Sequence, residues 1–321
     1  MSEHASRVYR LIFAAAAAYN IVFGLWASLA PRAFFALFHL EPATYPAIWA
    51  CLGMVVGLYG VGYAYAAWRL DRAFPFIAIG LAGKVLGPIG WVMSVRSGEL
   101  PFRTFPLIVF DDLMWWLPFA MFLLEGTRVT KWLARSAPYW CAALHAVAAF
   151  GTLILLRGGS EAVAHIDERV AYLSEHPDRW RAGWLLWMIA AISLTAFYAW
   201  WGSRVAVRPA LIAFAIAGLG LACDFSGESL LIAWIPHPGS SMYRAATLLS
   251  AAAGNGLYTV AGIILTISTP PLRALASLVW ISGIALTIAT IGSAPAAITI
   301  SSAALMLTLI PFVILLGRKL S

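Results

Sequence analysis

The sequence predicts an all-α, polytopic integral membrane protein with about ten transmembrane helices. Three observations carry that expectation. Of the 321 residues, 62% are apolar and only 11% are charged. The apolar residues gather in about ten stretches close to the ~20 residues an α-helix needs to cross a bilayer. Those stretches run continuously, without the period-two alternation of a membrane barrel strand, so helices are the expected spanning element.

The elements follow in order. Arg7 and Arg10 precede the first apolar stretch, 10–30. Ser28–Leu29–Ala30 loosely resembles a signal-peptidase site, but the apolar run exceeds a signal h-region and Pro31 follows at once. The stretch is expected to be an uncleaved first helix. Spans are then expected at 45–68, 73–95, 105–125, 137–157, 182–201, 209–235, 242–268, 273–293 and 297–317. The longest connection, 157–181, carries Val163, Ile166, Val170 and Leu173 at helical spacing after Ser160, a plausible N-cap. It reads as an amphipathic surface helix ended by His176–Pro177, resting on the membrane or closing over a site.

The net charge of +7 invites a nucleic-acid reading that the distribution excludes. Only three of the 21 basic residues are Lys, and no basic run or aromatic-interleaved basic patch occurs. The basic residues flank spans instead. With the N-terminus inside, twelve fall on the cytoplasmic side (Arg7, Arg10, Arg69, Arg72, Arg128, Lys131, Arg135, Arg204, Arg208, Arg273, Arg318 and Lys319) and seven on the other. The positive-inside rule therefore places both termini in the cytoplasm, in a bacterial inner membrane.

A four-helix module, 1–130, followed by a six-helix module, 131–321, is the expected division, at the basic segment 127–135. A 5+5 division at the long outer loop is the transporter-like alternative. Gly53, Gly57, Gly60, Ala64 and Ala67 form one stripe of small residues, and Gly80, Gly83, Gly87 and Gly90 another, as close helix packing in lipid requires. Lys84 stands near the middle of the third span, at ~1.5 Å per residue, and Pro88 deprives its carbonyl of the usual helical donor. A charge at that depth costs at least ~2.5–3.5 kcal/mol, which marks it as a candidate site. Asp111 or Asp112 is the expected counter-ion, with Trp115, Trp116 and Pro118 following.

The run Gly57-Leu58-Tyr59-Gly60-Val61-Gly62-Tyr63, then Gly80-Leu81-Ala82-Gly83-Lys84-Val85-Leu86-Gly87-Pro88-Ile89-Gly90, then Asp112-Leu113-Met114-Trp115-Trp116-Leu117-Pro118-Phe119 resembles small bacterial four-helix membrane proteins of broadly DoxX-like type. The likeness covers about residues 7–125. It implies a four-helix bundle able to exist alone and implies no particular activity.

In the second module Asp224 and Glu228 stand at i and i+4 on one helix face, where two carboxylates in low dielectric do not both ionise easily. Arg244, Asn255 and Tyr258 on the next span are their candidate partners, with an Arg244–Glu228 salt bridge across the turn at Pro236–Gly239. Most of the 15 tryptophans are expected in interfacial belts. Cys51, Cys141 and Cys223 are single, His145 is the one histidine well inside a span, and no metal-ligand or nucleotide motif occurs. No cofactor or metal is expected.

Three functional readings stay open: a membrane-embedded enzyme or binding protein for a lipophilic substrate (quinone, isoprenoid or lipid), a secondary and proton-coupled transporter, and a structural subunit of a membrane complex. In the first, Asp224 and Glu228 are acid and base, and Lys84, Asp111 and Asp112 hold a polar head. The expected partners are membrane lipids and a lipophilic small molecule, with no nucleic acid.

Overall fold

The computed structural model describes residues 2–42, 44–163, 165–269 and 272–320. Ten helices are long and apolar enough to cross a membrane. They are α1 (Glu3–Leu29), α3 (Pro46–Trp68), α4 (Phe74–Arg96), α5 (Phe102–Leu123), α6 (Arg128–Gly159), α8 (Pro177–Gly202), α9 (Val207–Ala233), α10 (Ser241–Ser268), α11 (Arg273–Ile291) and α12 (Pro295–Leu320). The short α2 (Pro31–Leu37) and the surface helix α7 (Ile166–Glu175) complete the chain. No strand occurs among the described residues. The protein is thus an all-α, multi-pass membrane protein.

The chain divides into two compact units, Met1–Thr130 and Lys131–Ser321. In the first, α1 and α3 cross very closely. A Cβ on Gly24 would stand 2.6 Å from the Gly53 carbonyl oxygen and the Gly57 nitrogen, and one on Gly60 would stand 2.8 Å from the Ile21 nitrogen. The expected stripe on α3 therefore meets a complementary glycine, Gly24, on α1. Ala64 is exposed and lies off the contact. Arg10 fastens the same pair by donating to the carbonyls of Ala67 and Trp68, both at 2.7 Å, the last carbonyls of α3. An aromatic cluster, with Tyr9 and Phe13 on α1 against Phe119 and Phe122 on α5, closes one end of this unit. At the other end Arg103 of α5 donates to the carbonyls of Phe38 at 2.7 Å and His39 at 2.6 Å.

The glycines on α4 separate by face. Ile77, Gly80, Lys84 and Pro88 are buried, whereas a Cβ on Gly83 or Gly90 would meet nothing within 4 Å. Gly80 and Gly87, on either side of Lys84, make the close contacts; the other two lie off them.

Several tryptophans pack inside the protein. Trp180 and Trp201 are fully buried, and Trp115, Trp200 and Trp280 are nearly so. Four indole N–H groups donate to threonine hydroxyls on another helix or its cap: Trp91 to Thr104 (2.8 Å), Trp187 to Thr152 (2.8 Å), Trp201 to Thr269 (3.1 Å) and Trp280 to Thr266 (2.9 Å). An indole in a dry interior needs an acceptor for its N–H, and a threonine on a neighbouring helix supplies one. These rings staple helices to one another.

The surface helix starts later than its sequence suggests. Ser160 accepts from Ala162 N and donates to the Arg157 carbonyl, making a turn of its own. It does not cap α7, which begins at Ile166. Leu173 of α7 joins Leu156, Trp180, Leu231, Tyr243 and Ala246 in one buried cluster, so α7 is seated on the protein at this end of the second unit. Tyr172 donates to the Leu155 carbonyl at 2.7 Å, and the Arg169 guanidinium lies 5.2 Å from the Tyr243 ring centre.

Candidate functional site

Each unit holds one set of buried charges, and in each a π-helical turn faces them. π turns are rare, and their wider winding frees backbone groups that a regular helix keeps satisfied.

In the first unit the turn is Val109–Leu113 of α5 and carries Asp111 and Asp112. Lys84 and Asp112 are both 5% exposed. The expected Lys84–carboxylate ion pair is corrected here. Among the described residues the ion pairs within 4.0 Å all lie elsewhere, and Lys84 Nζ donates instead to the backbone carbonyl of Asp111. The π turn places that carbonyl towards α4, while the Asp112 carboxylate lies over Gly87, Oδ2 being 2.5 Å from where a Cβ there would stand. Both carboxylates remain within electrostatic reach of the ammonium. The carbonyl of Lys84, freed by Pro88, accepts from Trp116 Nε1 at 2.8 Å. Trp115 Nε1 donates to the Phe110 carbonyl at 2.8 Å, and its ring belongs to the core cluster with Phe119 and Tyr63. Lys84, Asp111, Asp112, Trp115 and Trp116 are therefore brought together, with the two tryptophans holding backbone carbonyls in place. Asp111 Oδ1 is buried with no hydrogen-bond partner.

Beside this knot runs an apolar groove of about 510 Å³ that sequence reasoning missed. Tyr19, Val22, Phe23 and Trp26 line it from α1, and Pro106, Leu107 and Phe110 from α5, with Phe38 among the remaining wall residues. The signal was present in the sequence: Tyr19, Val22, Phe23 and Trp26 recur at i, i+3, i+4 and i+7, one aromatic-rich face of the first span. Phe110 adjoins Asp111 in the chain, and Tyr19 is within electrostatic reach of Asp111 and Asp112. The groove thus lies close to the charged knot, with no charged side chain among its lining residues.

In the second unit the carboxylates sit on the regular helix α9, and the π turn Leu248–Gly254 lies opposite on α10. Ser250 Oγ donates to Asp224 Oδ1 at 2.5 Å, and the Tyr258 hydroxyl donates to Oδ2 at 3.4 Å. Behind it, the Tyr198 hydroxyl donates to the Tyr258 carbonyl at 2.9 Å. Close approach is again a matter of glycine: a Cβ on Gly220 would stand 3.0 Å from the Tyr258 ring, and one on Gly254 would stand 3.1 Å from Asp224 Cβ. Glu228, 1% exposed, has its Oε2 buried without a partner.

Two expected members of this site are elsewhere. Arg244 forms no salt bridge with Glu228. It donates to the carbonyls of Thr290 at 2.7 Å and Ile291 at 2.6 Å, where the end of α11 offers carbonyls without helical donors. Asn255 likewise turns to α11, donating to the Gly283 carbonyl at 2.7 Å and the Thr287 hydroxyl at 2.9 Å. Ser250, which sequence reasoning did not single out, is the shortest partner of Asp224. His145 donates within its own helix to the Cys141 carbonyl at 2.9 Å. Among the described residues no group of three or more His, Cys, Asp or Glu is placed to hold a metal ion.

No protein-family model, curated protein or solved structure matches this chain.

Proposed function

We propose that the protein is a bacterial inner-membrane binding protein or enzyme that takes a lipophilic small molecule from the bilayer and meets its polar end with intramembrane carboxylates. The observation that supports this best is the apolar groove of about 510 Å³ in the same unit as the Lys84–Asp111 knot, its lining residue Phe110 preceding Asp111 in the chain. Its size falls within the ~300–1,000 Å³ range of small-molecule sites. Its walls are apolar, as a lipophilic tail requires, and the carboxylates lie nearby in the same unit. The DoxX-like resemblance of residues 7–125 supports reading this unit as a bundle complete in itself. The test is to extract the protein in mild detergent and identify co-purified lipophiles by mass spectrometry. Leu107→Trp, which fills the groove, should lose the molecule that the unaltered protein carries. Equal amounts in both would reject the groove as its site.

A second reading, proton-coupled transport through the second unit, is favoured by one observation: Asp224 is held by two hydroxyl donors while Glu228 Oε2 has none. On this reading Asp224 is the ionised member and Glu228 the protonated one. Both termini are assigned to the cytoplasm, from the twelve-to-seven distribution of basic residues. Labelling of His165→Cys by an impermeant thiol reagent in intact cells, in a cysteine-free background, is the expected result; protection at that position reverses the orientation.

A further inference from the structure

A cation stands at the end of the groove away from the knot. Arg103 continues the α5 wall: with Pro106, Leu107 and Phe110 it recurs at i, i+3, i+4 and i+7, one helix face. Its Nε donates at 2.7 Å to the carbonyl of Phe38, itself a wall residue, and its Nη2 donates at 2.6 Å to the carbonyl of His39. Phe38 and Trp26 both pack on Phe34, with ring centres 5.4 and 5.5 Å away, so they mark the same end of the groove. Arg103 is the second residue of α5, which puts this end at the edge of the span, where lipid head groups begin. The guanidinium is only partly used. Arg103 is half-buried, and its Nη1 makes no hydrogen bond among the described residues and is not enclosed. The ion pairs within 4.0 Å among those residues lie elsewhere, and carbonyls satisfy N–H groups without neutralising the charge. Three of the five N–H groups of an arginine are thus left, and a guanidinium takes anionic oxygens two at a time.

We propose that the groove seats an anionic membrane phospholipid, with one acyl chain along its apolar walls and the phosphate on Arg103. This goes beyond the function proposed above and does not depend on it: it gives the groove a bilayer occupant that any smaller guest has to displace. The chain needs no polar partner and meets no charged lining residue. Val22 on the α1 wall is 67% exposed, so the groove is open to a chain entering from the side. A lipid without net charge gains the burial of its chain alone, and a cationic amphiphile meets like charge at Arg103.

The test titrates the full-length protein, in a neutral detergent, with phosphatidylglycerol, with phosphatidylcholine of identical chains, and with chain-free glycerophosphoglycerol, each followed by native mass spectrometry. Phosphatidylglycerol should bind at least ~10-fold more tightly than phosphatidylcholine, as one charge-assisted contact implies, and the chain-free head should not be retained. Arg103→Gln keeps a donor for the Phe38 carbonyl and removes the charge. It should bring phosphatidylglycerol down to the affinity of phosphatidylcholine and leave the latter unchanged. Leu107→Trp should weaken both lipids. Equal binding of the two lipids to the unaltered protein, retention of the chain-free head, or a preference that survives Arg103→Gln overturns the proposal. Where Arg103→Gln fails to fold, phosphatidylglycerol with a photoreactive diazirine on its head group should label 38–39 or 103 in the unaltered protein; labelling confined to other segments overturns it equally. Failure of the Arg103 arm alone leaves the small-molecule reading standing, whereas lipid binding unchanged by Leu107→Trp removes the chain from the groove.

Discussion

The two units solve the same problem with opposite casts. In the first, the π turn carries the acids, and its backbone carbonyl receives the ammonium of Lys84 from a regular helix. In the second, the regular helix carries the acids, and the helix containing the π turn offers neutral hydroxyls, Ser250 and Tyr258. In one a main-chain carbonyl receives the Lys84 side chain; in the other, side-chain O–H groups donate to the Asp224 carboxyl group. The difference teaches that a π turn is not tied to one kind of partner. It supplies reach, and the residues around it decide which group it serves.

Removing the cation should break the first arrangement most severely. Lys84→Met strands two acids in the interior, and a stranded buried charge costs ~3–5 kcal/mol. Because the direct bond is to a carbonyl, adding Asp111→Asn should restore less than half of that loss, measured by thermal unfolding in detergent. Full restoration would mean the carboxylate, not the main chain, is the true partner.

Ser250→Ala tests the second arrangement. It deletes a short hydrogen bond to a buried carboxyl group, an expected loss of ~1–3 kcal/mol. Tyr258→Phe, whose bond is 3.4 Å long, should cost less. A reversed order would make Tyr258 the principal support of Asp224.

A pair of glycines on α4 sharpens the role of contact geometry. Gly87→Ala drives a methyl into the Asp112 carboxylate and should cost ~1–3 kcal/mol, whereas Gly83→Ala, with open space at that position, should be neutral or slightly stabilising. Comparable destabilisation by both would argue that the stripe acts through the helix backbone alone. The smallest effect is expected from Glu228→Gln, since Oε2 has no partner to lose. Unfolding by this change would place Glu228 in a structural network.

Much of this was readable in the amino acids. Span positions follow from apolar run length, and Lys84, Asp112 and Glu228 stood out because charge is rare in such runs. The carbonyl of Lys84 was marked by Pro88, although its acceptor role towards Trp116 was not. What failed was pairing across helices. Arg244 and Asn255 are eleven residues apart, about three turns, so they share a face, and that face meets α11 rather than α9. Which neighbour a face meets depends on helix rotation and register, and periodicity along one helix does not contain them. Gly83 and Gly87 show the same limit: both belong to one stripe in the sequence, but only Gly87 touches anything. The π turns add a second difficulty, because each shifts the phase of the residues that follow it.

The fastenings of the first unit have a consequence for size selection. The halves α1–α3 and α4–α5 are joined by aromatic packing at one end and by Arg103 on Phe38 and His39 at the other. Between these closures Tyr19 to Trp26 face Pro106 to Phe110, with no side-chain hydrogen bond across the seam among the described residues. From Tyr19 to Trp26 is about 10 Å at ~1.5 Å per residue. A lipophile of the kind proposed above would meet a slot of that length, and a longer tail would have to turn out sideways into the surrounding lipid.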